Sequence, residues 1–279
     1  MKCKSDASLV AFPSDRCGGF FNEVDLKPHR NRYWLAEVAD EQRDERIADV
    51  CSVYEQAVQR AQQGERTISV DEMTGVQALE RMHPDKPMEP RKPGGKIKLD
   101  LREFDYIRHG TLTFILNLDV STGQSVSPTC GDTRGNEDFA HHVRRTVESD
   151  PAATGWHFVA DNLNTHRSEL LVRYVAEVSG VQEDLGIVGK SGILHNKKSR
   201  TVFLSDPKHK IVFHYTPKHC SWLNQIEIWL SILARKVIHR GNFKSKDDLK
   251  EKVLAFIEYF NRTMAKPFRW TYRGKLLAA

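Results

Sequence analysis

Apolar residues recur along this chain with two periods, and the switches between them outline a fold. From about Leu35 to Arg60 the positions Val38, Ile47, Val50, Val53, Tyr54, Ala57 and Val58 keep near-helical spacing and Gly64 closes the run, so a helix is expected to lead into the core. Thr67 to Asp71 alternates instead. Ile68 and Val70 fall on one face and Thr67, Ser69 and Asp71 on the other, the pattern of a strand with a carboxylate at its end. Thr111 to Val120 and Gln124 to Thr129 flank Ser121-Thr122-Gly123 and predict two neighbouring strands joined by a tight turn. A helix over 136–149, a short strand over 156–160 and an amphipathic helix over 168–178, with Leu170, Leu171, Tyr174, Val175 and Val178 inward, follow in order. Residues 211–215 resume as a strand, Pro217 breaks it, and helices are expected over 221–240, stopped by Gly241, and over 246–261.

Two stretches interrupt this alternation. Pro84, Pro87, Pro90 and Pro93 recur every third residue before Gly94-Gly95, so 83–98 is expected as an extended loop. Residues 179–209 are glycine-rich and basic, with Lys190, Lys197, Lys198, Arg200 and Lys208, and read as an insertion between core elements. The net charge of +5 and pI near 8.9 are compatible with a polyanionic partner without requiring one. Five scattered cysteines, Cys3, Cys17, Cys51, Cys130 and Cys220, make neither a CxxC pair nor a zinc pattern and read as reduced thiols. No apolar run approaches the roughly 20 residues that cross a bilayer, and the expected compartment is the cytoplasm, or the nucleoid within it.

Three acids are placed for chemistry. Two-metal phosphoryl transfer needs carboxylates converging from different rigid elements, because two hard cations must be held about 3.5 to 4 Å apart by oxygen ligands. Asp71 and Asp161 each follow a strand. Glu227 lies among Trp222, Leu223, Ile226, Ile228, Trp229 and Leu230, which leave little polar face to justify an ionised residue. On a helix it shares a side with Asn224 and Ser231, a narrow polar strip. Each acid has a plainer reading as well: a rim residue paired with Arg235 or Lys236 for Glu227, and turn or cap chemistry for Asp161 in Asp161-Asn162-Leu163-Asn164-Thr165-His166. Asp119, before Ser-Thr-Gly, reads as a turn residue. His141 and His142, adjacent on a helix, point apart and read as surface imidazoles. The loops GxGxxG and GxxxxGK[ST] and the elbow GxSxG are absent, which argues against dinucleotide binding, P-loop ATP hydrolysis and serine hydrolase chemistry.

The strings Ser69-Val70-Asp71-Glu72, Ala160-Asp161-Asn162-Leu163-Asn164-Thr165-His166 and Tyr215-Thr216-Pro217-Lys218-His219-Cys220-Ser221-Trp222-Leu223-Asn224-Gln225-Ile226-Glu227 together resemble bacterial insertion-sequence transposases related to the mariner group. The resemblance runs from about residue 20 to the C-terminus. It implies an α/β, RNase H-like fold: a central five-stranded mixed sheet flanked by helices, with a catalytic domain over 67–279, a linker helix over 36–66 and, over 1–35, a truncated remnant of helix-turn-helix DNA-binding units. It assigns Asp71, Asp161 and Glu227 to metal binding, with Mg2+ or Mn2+, two ions, as the cofactor. Asn162, His166, His219, Trp222, Asn224 and Gln225 would orient these ligands or touch DNA. Lys27, Arg30, Arg32, Lys197, Lys198 and Arg200 are further candidates for double-stranded DNA. The implied reaction is cleavage at a transposon end followed by strand transfer by a homodimer, with the 83–98 loop contacting the partner subunit or DNA or standing as an ordinary solvated loop; the alternatives are a truncated remnant that binds DNA or a full-length partner without cutting, and another RNase H-like nuclease.

Overall fold

The structure, a computed structural model, describes residues 42–89, 99–101 and 103–272. Lys27, Arg30, Arg32, the expected remnant over 1–35 and the far end of the proline-rich loop lie outside them. The chain enters through helix α1 (Arg43–Gln62), then forms β1 (Glu65–Arg81), β2 (Tyr106–Asp119), β3 (Ser125–Gly131), α2 (Asn136–Glu148) and β4 (Gly155–Ala160). After a 3-10 turn at Thr165–Arg167 come α3 (Glu169–Ser179), α4 (Lys197–Leu204) and β5 (Ile211–Tyr215). A second 3-10 turn at Ser221–Leu223 precedes α5 (Ile226–Leu233), which runs on as a π-helical segment (Ala234–Ile238), and α6 (Lys246–Thr263) closes the order. Among the described residues no helix is long and apolar enough to cross a membrane.

The five strands form one mixed sheet in the order β3-β2-β1-β4-β5. β2 is antiparallel to β1 and β3, whereas β1, β4 and β5 run parallel. This is the RNase H-like arrangement that the sequence motifs imply. One sheet face carries Ile68, Val70, Phe158 and Phe213 and is covered by Phe139 and Val143 of α2, Leu171 and Val175 of α3, and Phe203 and Leu204 of α4. On the other, Phe114, Leu116 and Leu118 pack against Ile226, Trp229 and Leu230 of α5 and Val253, Ile257 and Phe260 of α6. α1 packs Val50, Val53 and Tyr54 near Val159 and Leu223. Both faces of a sheet with parallel strands are thereby removed from water, as such sheets require.

β1 is far longer than the alternation over 67–71 suggests. Its parallel pairing with β4 ends at Ser69 and Val159, yet its pairing with β2 continues to Arg81. The register slips between Met73 and Val76, where Gly75 takes φ +64°, a conformation a glycine adopts without strain. Before the slip the odd positions Ser69, Asp71 and Met73 face α5. After it the even positions Val76 and Ala78 do.

Three further expectations need correction. Helix formation near Glu227 begins at Ile226 rather than Ser221, because Asn224 is extended (ψ 108°) and its side chain is bound to β1. Leu170 is exposed on α3, and Val172 and Ala176 face the core in its place. His142 is fully buried rather than at the surface, its Nδ1 2.8 Å from Thr129 Oγ1. The 179–209 stretch lies between α3 and β5, carries α4, and has Leu194 and Leu204 fully buried.

Candidate active site

The site forms where the parallel strands end. β1 and β4 pair with a constant offset, Glu65 opposite Gly155 through Ser69 opposite Val159, and that offset carried two residues further sets Asp71 level with Asp161. Asp71 remains within β1, held on its other side by β2 through Leu116, so its backbone is fixed although β4 has ended. Asp161 follows the last residue of β4. Glu227 arrives on the first turn of α5, placed by an anchor of three residues. The Asn224 amide donates to Val70 O at 2.9 Å and to Asp71 Oδ2 at 3.3 Å. Ser69 Oγ donates to Asn224 Oδ1 and accepts the Ile226 N–H at 3.0 Å, and the buried Tyr54 hydroxyl accepts the Gln225 N–H at 3.2 Å. The helix start is therefore tied to the strand that carries Asp71.

Electrostatics shows that the acids converge. The Asp71 carboxyl is pushed up to about 7, first by burial and then by the charges of Asp161, Glu72 and Glu227, against the lowering effect of the Glu72 N–H on Oδ1 at 2.8 Å. Asp161 behaves oppositely. Burial would raise it, but His166 and the Leu163 N–H outweigh burial and hold it below the usual carboxylate range. His166 has no exposed surface; its Nδ1 lies 2.8 Å from Asp161 Oδ1 and its Nε2 2.9 Å from Glu72 Oε1. Burial lowers its pKa, but these two carboxylates prevail and raise it to about 9, so both ring nitrogens carry protons and donate.

The donor set suits a divalent cation. Carboxylates whose charges reach Asp71 from Asp161 and Glu227 are of the kind a hard ion such as Mg2+ or Mn2+ takes, and a bound cation would cancel the repulsion that raises Asp71. Among the described residues no three His, Cys, Asp or Glu side chains close around a common point as a metal's ligands do, Asp161 being turned to His166.

The other sequence candidates divide. Asn162 is structural: its amide donates to Thr216 O and its Oδ1 accepts from Arg167. Gln225 is buried with neither side-chain polar atom partnered by protein. His219 is exposed at φ +59°, and Trp222 is about half exposed, edge-on to Tyr272 at 5.0 Å. Lys197 and Lys198 are exposed on α4, and Lys197 is depressed by slight burial and then by the positive charges of Arg167, Lys218 and Arg200. Arg167, buried beside Asp161 with its guanidinium 4.3 Å from the Tyr215 ring, joins that basic group to the site and was not foreseen from sequence. Glu72, Ser69 and Tyr54 were also missed. The signal for Ser69 was present, since it shares the pleat face of Asp71; Tyr54 and Arg167 gave none.

A family model described as DDE superfamily endonuclease matches residues 81–250, which include Asp161 and Glu227 but not Asp71. Among solved structures, the chain is similar to the catalytic domain of Mos1 mariner transposase, with a TM-score of 0.45 and 11% identity over 81% of this chain and 85% of that one. It is similar to the Mos1 transposase in its paired-end complex with left transposon end, with a TM-score of 0.44 and 13% identity over 87% of this chain and 62% of that one. The Mos1 mariner paired end complex with Mn gives 0.43 and 10% over 87% and 62%. This chain thus spans less than two thirds of the length of those transposases. No curated protein matches it. The family match covers more than half of the sequence and contains both the strand-end aspartate and the helix-borne glutamate, so the chain belongs to the DDE superfamily endonucleases.

Proposed function

We propose that this protein is a transposase of the bacterial insertion-sequence type related to mariner, cutting double-stranded DNA at transposon ends and joining the freed 3′ hydroxyl to target DNA. The observation that carries the reading is that the β1–β4 offset and the Asn224 anchor bring Asp161 and the Glu227 helix to the side of Asp71, where both charges are felt at its carboxyl. Asp71, Asp161 and Glu227 would hold two Mg2+ or Mn2+ ions. Bound there, such ions supply an activated water nucleophile and neutralise charge on the leaving oxygen.

The chain's own residues fix the acids. Asn224 pins one oxygen of Asp71, and the Glu72 N–H holds the other. His166 fixes Asp161, and the Ser69 and Tyr54 hydroxyls hold the backbone that starts the Glu227 helix. The exposed residues His219 and Trp222, with Lys197, Lys198 and Arg200, would meet the DNA strand and its phosphates. A homodimer contacting through the 83–98 loop completes the reading; Met88 at its described end is exposed.

The substrate for a test is an inverted repeat to be sought in the DNA that flanks the gene. A duplex carrying one repeat, incubated with the protein and Mg2+ or Mn2+, is expected to be cut at the repeat end, and Asp161→Asn is expected to abolish that cut. Cleavage by Asp161→Asn at the wild-type rate would remove Asp161, and the triad with it, from the mechanism.

A further inference from the structure

Glu72 is an acid that the triad does not use. Its side chain is 2% exposed, it sits on the opposite pleat face of β1 from Asp71, and its Oε2 has no protein partner. Burying a carboxylate costs several kcal/mol unless it is bound, so its one strong contact has to account for its presence. That contact is to His166 Nε2 at 2.9 Å. The imidazole lies tilted at 34° against Phe139, with ring centres 4.0 Å apart, and offers its Nδ1 to Asp161 Oδ1 at 2.8 Å. Glu72, His166 and Asp161 thus form a line that crosses from β1 to the loop after β4.

We propose that Glu72 is a positioning residue for Asp161, acting through His166. The imidazole can turn about its side-chain torsions, and a hydrogen bond at Nε2 selects the ring orientation that aims Nδ1–H at Asp161. Phe139 limits tilt but offers no polar contact that would set the rotation. Asp161, on the loop beyond β4, lacks the strand pairing that holds Asp71, so its carboxylate depends on the Leu163 N–H and on His166 for its orientation. Backing of a ligand by a histidine and a further acid is a device by which proteins fix metal-binding groups. The adjacent residues of Asp71-Glu72 thereby serve two ligands: Asp71 directly, and Glu72 by way of the neighbouring strand's loop.

This inference rests on Asp161 being a metal ligand, and Mn2+ binding to the full chain, followed by the electron paramagnetic resonance of free Mn2+, separates the two. Asp161→Asn should weaken Mn2+ binding; if it does not, the triad reading fails. With that loss established, Glu72→Met and His166→Phe should each weaken binding by about 10- to 100-fold, the range for residues that orient ligands. The double variant should bind no more weakly than the poorer single one, because both changes break one chain. Glu72→Gln, which keeps an oxygen able to accept from Nε2, should stay within about threefold of wild type, as expected for orientation rather than charge. Wild-type affinity in a folded Glu72→Met, or losses that multiply in the double variant, would overturn the proposal. The metal-free wild type gives a test that needs no variant to fold: proton magnetic resonance should find a slowly exchanging, hydrogen-bonded proton on His166 Nε2, and its absence would overturn the proposal equally.

Discussion

His142 lies in the middle of α2 with no exposed surface, and its Nε2 has no protein partner. Burial first, and then the charges of Arg145, His141 and His166, depress its pKa to about 3. The unfolded chain takes up a proton below the ordinary histidine value of about 6.5, while the folded chain refuses it until about 3. The stability this residue contributes is therefore fully present above 6.5 and is lost as pH falls towards 3, at up to about 1.4 kcal/mol per pH unit. Urea unfolding between pH 6.5 and 5 should show about 2 kcal/mol more loss in wild type than in His142→Gln, whose side chain does not titrate. Equal pH slopes in the two proteins would mean that His142 is protonated in the fold. The same helix pattern that marks Phe139 and Val143 as core also covers position 142, and reading the two histidines as a pair hid this.

At the scale of elements, Gly123 shows how tightly the β2–β3 hairpin is tied to the end of the chain. It takes φ +73°, and a Cβ there would stand 2.0 Å from the carbonyl oxygen of Lys266, a backbone atom with little room to move. The left-handed conformation alone costs an alanine roughly 1 to 2 kcal/mol, so Gly123→Ala should lose at least about 2 kcal/mol in thermal or urea unfolding. A loss under about 0.5 kcal/mol, the level of an ordinary surface change, would show that the segment at Lys266 does not press on the turn. Periods were legible where one side of an element is buried, as in the 136–149 helix, and the 211–215 strand, buried on both faces, was legible as a short apolar run closed by Pro217. They failed where tertiary bonds override local spacing. The helix read from Ser221 begins at Ile226 because Ser69 and Tyr54, over 150 positions earlier, take up the backbone N–H groups of its first residues. The end of β1 was invisible because its continuation depends on β2. Asp71, Asp161 and Glu227 were legible through element ends and motif order, whereas the supporting Glu72, Tyr54 and Arg167 needed the fold to bring them in.

Among the described residues an acidic group and a basic group stand out. Acids gather where the pairing of β1 with β4 ends, while the charges of Arg167, Lys218 and Arg200 are felt at Lys197. A strand of DNA laid along the basic group would have its phosphates drawn past the acids without requiring any base to be read. Replacing Lys197, Lys198 and Arg200 together by alanine should reduce the salt dependence of duplex binding, the slope of log K against log salt falling by about 0.9 for each of the three that meets a phosphate. An unchanged slope would place the DNA elsewhere on the molecule.

The slip at Gly75 gives β1 a property that a straight strand lacks. Pleat phase is counted from Ser69 to Met73 on one side of it and afresh from Val76 on the other, where a second slip follows between Gln77 and Leu79, so the strand is a first ruler joined at a glycine to an outer arm that is itself interrupted. Asp71 takes its facing from the first ruler, which is locked to β4 and β2; Val76 and Ala78 of the outer arm pack on the α5 and α6 layer. Length added or removed beyond the joint can turn the arm over without turning the aspartate, which leaves the arm adjustable while the acids stay fixed.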